Sequence, residues 1–116
     1  MIVLPRGNTL ELSVTITDMN GDIYKLSDGD TALFTIKAAD GREEVPIVQK
    51  ILTAQDMNKD GAIEFRIAPE DTITLEKGYY LFDFGVCLDG EDFYTAVLTD
   101  SFKILPALGD KAAVPI

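Results

Sequence analysis

Asp56, Asn58 and Asp60 alternate ahead of Gly61, with Ile63 two residues further on. Oxygen-bearing side chains at loop positions one, three and five, then a glycine, reproduce the first half of a calcium-binding EF-hand loop. The pattern breaks where the bidentate glutamate belongs, because Ile67 stands there. Both neighbouring segments also read as strands, where an EF-hand needs helices. Glu64 could add an oxygen in another geometry. The plainer reading is a hairpin turn, which selects Asn58, Asp60 and Gly61 on backbone grounds. That reading takes precedence, and no metal or other cofactor is expected.

Other chemistry finds little to work with. The chain has no histidine, which removes the commonest general base, the usual triads and the most frequent zinc ligand. Cys87 is the only cysteine and reads as a small apolar group on its strand. Ser13, Ser27 and Ser101 lie in no Gly-x-Ser-x-Gly context, and no glycine-rich phosphate loop is present. Paired carboxylates can hydrolyse glycosides, but with 20 acids some pair always looks plausible. No catalytic residue is assigned. Tyr24, Tyr79 and Phe93 fall on outer or loop positions and could mark a carbohydrate-binding face. With no tryptophan in the chain, packing against a neighbouring subunit explains them as well.

Lys and Arg total 10 against 20 Asp and Glu, a formal net charge of -10. Such a surface repels phosphate backbones and anionic membranes, so neither nucleic acid nor membrane is an expected partner, and no small-molecule substrate is indicated. One cysteine allows no internal disulfide, which fits a reducing cytoplasm, though a cysteine-poor secreted protein would look the same. The apolar stretch from Ile2 to Leu4 is too short for a signal-peptide core, and no apolar run reaches the ~20 residues of a membrane span. The expected product is soluble.

The elements that would position these residues are strands. From Thr9 to Thr17 the chain alternates, with Leu10, Leu12, Val14 and Ile16 on one face. A second strand spans about Thr31 to Ala39, with Ala32, Phe34, Ile36 and Ala38 inward, and Asp40-Gly41 closes it. Val45 to Thr53 is less regular, and Pro46 directs its start to a sheet edge. Asp60-Gly61 turns into Ile63, Phe65 and Ile67. Tyr80, Phe82, Phe84, Val86 and Leu88 mark a central strand. Asp89-Gly90 turns it into a last strand whose inward set is expected to be Tyr94, Ala96, Leu98, Phe102 and Ile104. A bulge near Thr99 to Ser101 would release Asp100 to solvent.

About seven short antiparallel strands with regular turn signals predict an all-β sandwich over residues 1–106, with 107–116 a loose C-terminal tail. A chain of 116 residues can bury roughly two-thirds of its unfolded surface and hold such a core unaided. Pro69 followed by acids predicts one short helical turn before the Tyr80 strand. Leu75, Gly78 and Tyr80 then resemble the tyrosine corner of immunoglobulin-like sandwiches, where the phenol bonds to upstream backbone and pins the crossover between sheets.

The order of these features resembles a known family. Arg6-Gly7-Asn8-Thr9 precedes an alternating strand; Pro69-Glu70-Asp71-Thr72 leads to Leu75-Glu76-Lys77-Gly78-Tyr79-Tyr80-Leu81-Phe82-Asp83. Over about residues 6–105 the chain resembles small immunoglobulin-like phage structural proteins, including the N-terminal domain of siphophage upper baseplate proteins. No receptor-binding or helical extension like that group's is expected beyond the sandwich, which leaves tail, baseplate and head all open. The resemblance implies an immunoglobulin-like sandwich without catalytic residues, a virion component in tail, baseplate or head. Its implied partners are other virion proteins, with a homo-oligomer among the options. A calcium- or carbohydrate-binding β-sandwich module is the alternative.

Overall fold

A computed structural model describes residues 1–39, 46–107 and 109. Its strands are β1 (Ile2–Pro5), β2 (Leu10–Val14), β3 (Thr31–Ala38), β4 (Val48–Leu52), β5 (Ile63–Ile67), β6 (Gly78–Leu88) and β7 (Asp92–Leu105). A 3-10 turn covers Ala54–Asp56, and α1 (Pro69–Thr72) is the expected helical turn. The protein is all-β, and its strands form a five-stranded sheet in the order β1-β7-β6-β3-β4 and a two-stranded sheet, β2-β5.

Alternation explains most of the core. On β3, Ala32, Phe34 and Ile36 are buried, and on β5, Ile63 and Ile67. Phe34 stands opposite Phe84 in the β3–β6 ladder. Phe65, from the small sheet, meets Phe34 with ring centroids 5.1 Å apart and Phe84 at 6.0 Å. Burying one such aromatic contributes about 1.5–3 kcal/mol, and the tilted and offset rings add the preferred aromatic geometry. The five-stranded sheet is central at β6, and β4, which follows Pro46, lies at its edge. Asp40-Gly41, the start of the strand expected from Val45, and Leu108 and 110–116 of the expected tail lie outside the described residues.

Two expectations need correction. The strands are not all antiparallel: β1 pairs in parallel with β7, Ile2 opposite Phe102 and Leu4 opposite Ile104. Ile2-Val3-Leu4 is too short to show a period, and burial of Leu4 against the core selects the pairing. The inward set of β7 also differs. Phe102 and Ile104 are buried, but Tyr94, Ala96 and Leu98 are exposed, and Val97 packs against the core instead. For Ala96 and Leu98 the cause is a pair of bulges in the β6–β7 ladder. Gly85 pairs with Thr95, Phe84 with Val97 and Phe82 with Asp100, so β7 carries an extra residue at each step. Between the two bulges Val97 faces inward in place of Ala96 and Leu98. The two reversals cancel beyond them, so Tyr94 shares the face of the buried Val86 opposite it and is nonetheless exposed, as is Asp100.

Candidate functional site

The Asp56–Gly61 loop is built by backbone demands. Asp56 accepts from the Thr53 N–H at 2.8 Å, while the Thr53 hydroxyl accepts from the Gln55 N–H, a reciprocal cap on the 3-10 turn. The Asn58 side-chain oxygen accepts from the N–H groups of Asp60 at 2.9 Å and Ala62 at 3.1 Å, an Asx turn. Gly61 has φ +86°, and a Cβ there would stand 3.0 Å from Ile23 Cγ2; both facts demand glycine. Asp60 and Glu64 are exposed, Glu64 opposite Ser13 in the β2–β5 ladder. Among the described residues, no group of three or more His, Cys, Asp or Glu side chains is placed to hold a metal.

The connection from β5 to β6 crosses from the small sheet to the large one. Pro69 starts α1, and Asp71 accepts from the Ala68 N–H at 2.7 Å and pairs with Lys50 at 2.7 Å. Thr72 is fully buried, and its hydroxyl accepts from the Gly7 N–H at 2.9 Å. After the half-buried Leu75, Gly78 takes φ +140°. The Tyr80 hydroxyl donates to the Glu76 carbonyl at 2.7 Å. Burial raises the Tyr80 pKa, helped by the nearby Glu76 charge, so the phenol keeps its proton for this bond.

A polar cluster around Asp30 escapes sequence reasoning. Asp30 is buried, and its carboxylate accepts from the Ser27 N–H at 2.8 Å, the Asp89 N–H at 3.0 Å and the Tyr24 hydroxyl at 3.1 Å. The Ser27 N–H lowers the Asp30 pKa most, and the Asp89 N–H and Tyr24 hydroxyl add to it against the opposing cost of burial. Tyr24 is raised, first by burial, then by its bond to Asp30. Tyr24 therefore belongs to an internal network, not to an outer face. The signal available in the sequence was slight: Asp28-Gly29-Asp30 reads as one more polar turn.

Asp30 also ties down the β6–β7 turn, the base of a strand segment that carries three exposed large apolar side chains. There the Glu91 N–H donates to the Leu88 carbonyl, and Asp89 and Gly90 both have positive φ, which Asp-Gly supports. Beyond the turn, Phe93, Tyr94 and Leu98 are 55%, 57% and 77% exposed. Phe93 lies over Gly85, where a Cβ would stand 2.3 Å from its ring. Cys87 is half-buried opposite Phe93. At the other end of β6, Lys103 sits 5.1 Å from the centre of the exposed Tyr79 ring.

No protein-family model matches the chain, and no curated protein matches it. Among the described residues, no helix is long and apolar enough to cross a membrane.

Proposed function

We propose that the chain is a non-enzymatic structural component of a phage or prophage particle, an immunoglobulin-like β-sandwich acting through protein–protein contacts. The observation that carries the reading is the first part of β7. Among the described residues it is bonded to β6 on one side only, and it presents Phe93, Tyr94 and Leu98 to solvent. An open edge beside exposed aromatics is costly in a solitary domain and useful in one that is covered by a partner. For the sandwich, support comes from Phe65, which reaches from the two-stranded sheet to Phe34 and Phe84 of the other. The Tyr80–Glu76 bond at the crossover is the feature expected of a tyrosine corner.

The segments that carry the phage resemblance occupy fold-setting positions. Arg6–Thr9 and Pro69–Thr72 meet at the Gly7–Thr72 bond, and Leu75–Tyr80 forms the corner. On this reading the protein is made in the bacterial cytoplasm and assembled into the virion, in tail, baseplate or head, beside other virion proteins. Asp56 and Asn58 already bond backbone donors, which favours the turn reading of that loop over the calcium-binding alternative; the carbohydrate-binding alternative has only the exposed Tyr79 and Phe93 in its favour, in a chain without tryptophan. The test is particle composition. Particles induced from the encoding strain and banded on a density gradient should contain the chain at a fixed ratio to capsid and tail proteins. Abundant chain in the lysate with none in the particles would retire the proposal.

A further inference from the structure

We infer that the open edge of β7 receives an extended, cationic strand from a different protein; this rests on the protein-contact reading above and specifies the partner's chemistry. The edge comes first. Among the described residues, β7 pairs from Asp92 to Ser101 with β6 alone, because β1 takes its other side from Phe102 onward. Alternate N–H and C=O groups of that stretch are therefore offered outward as a template. The ladder is regular from Asp92 to Thr95, and the bulges begin after it. Bulges twist an edge away from pairing, so the docking segment is the regular one.

Side chains give this segment two gripping faces. Phe93 and Tyr94 are adjacent in the strand and so point to opposite faces of the sheet, and each is more than half exposed. A strand laid along Asp92–Thr95 would carry its own alternating side chains onto both rings, as in strand addition at a sheet edge.

Charge chooses the occupant. Asp89, Glu91 and Asp92 are all exposed beside this segment, and Asp28 precedes Gly29, which abuts Asp89. Among the described residues, none of these acids forms an ion pair. A second copy would set another such cluster, and another formal charge of -10, against the first; like charges across a ladder are destabilising. A foreign strand with Lys or Arg beside a β-prone apolar centre meets both the acids and the aromatics.

The test uses the full chain, labelled with nitrogen-15, and three synthetic peptides: Lys-Lys-Val-Thr-Val-Thr-Val, its Glu-Glu counterpart, and Lys-Lys-Val-Pro-Val-Pro-Val. The first should shift the amides of Asp92–Thr95 and bind about tenfold more tightly than the Glu-Glu peptide, with a steep loss in salt. The proline peptide keeps the charge but cannot complete a ladder, and its binding should be lost. Exchanging Glu91→Lys and Asp92→Lys together should reverse the charge preference. Equal binding of the proline peptide, shifts centred elsewhere, or no shift would overturn the inference. So would a dimer in sedimentation that Tyr94→Lys dissociates, because the occupant would then be a second copy. None of these failures touches the gradient experiment, which decides the particle reading by itself.

Discussion

The Gly7 N–H donates to the Thr72 hydroxyl at 2.9 Å in a buried bond that joins positions 65 residues apart. Gly7 has φ +74°, so the chain leaving β1 turns in a conformation that glycine adopts freely. Thr72, with none of its surface exposed, is the last residue of α1. One hydroxyl thus couples the entry into β2 to the crossover between sheets.

Thr72→Val keeps the shape and removes the acceptor, leaving the Gly7 N–H buried and unpaired. The expected cost is about 1–3 kcal/mol, read as a lowered midpoint in urea. Thr72→Ser keeps the hydroxyl and should lose less. A valine variant as stable as the parent would show that the bond contributes nothing.

Asp30→Asn removes the charge that three donors address, with an expected loss of roughly 1.5–3 kcal/mol near neutral pH. The folded-state pKa of Asp30 is lowered, chiefly by the Ser27 N–H. Its stabilisation is therefore complete above the ordinary carboxylate pKa of about 3.9 and disappears as pH falls through the folded value. Denaturation midpoints followed from neutral to acid pH should converge for parent and variant. A gap that stays constant into acid would contradict the assignment.

Asn58→Ala deletes the acceptor that serves Asp60 and Ala62. Thermal unfolding should report a loss of about 1–2 kcal/mol, while Asn58→Asp, which keeps the oxygen, should lose less. Calcium at millimolar concentration should leave the parent's melting temperature unchanged. A calcium-dependent rise that Asn58→Ala abolishes would restore the cation reading of this loop.

Phe93 covers Gly85 closely, so the Gly85 α-protons should be displaced in the proton spectrum by the ring. Phe93→Ala should return them to ordinary values. Gly85→Ala must push the ring aside, because the new Cβ would lie 2.3 Å from it. With Phe93 already 55% exposed, that displacement should cost no more than about 1 kcal/mol. A Gly85→Ala variant that keeps the ring in place would contradict this geometry.

Tyr80→Phe removes the bond to the Glu76 carbonyl. That carbonyl lies on an exposed residue and can turn to water, so the expected loss is only about 0.5–1.5 kcal/mol. An unchanged urea midpoint would mean that packing of the ring alone holds the corner.

Several features were legible in the sequence because their causes are local. Leu10, Leu12 and Val14 show their shared face by period alone, as do Ala32, Phe34 and Ile36. Asp60-Gly61 and Asp89-Gly90 announce turns because Gly61, Asp89 and Gly90 take positive φ there. The bond from Tyr80 to Glu76 spans only four residues, so Gly-x-Tyr could suggest it. Tertiary structure decided the rest. β1 pairs in parallel with β7 because burial of Leu4 outweighs any local signal. Ala96 and Leu98 face water because bulges, invisible to a period-2 count, invert the ladder between them, whereas Tyr94, on the face of the buried Val86, is still exposed. Asp30 is buried because its three donors arrive from Tyr24, Ser27 and Asp89, the last of them 59 residues away. Period and turn chemistry act within a few residues; pairing, inversion and burial depend on which distant segments come to lie alongside.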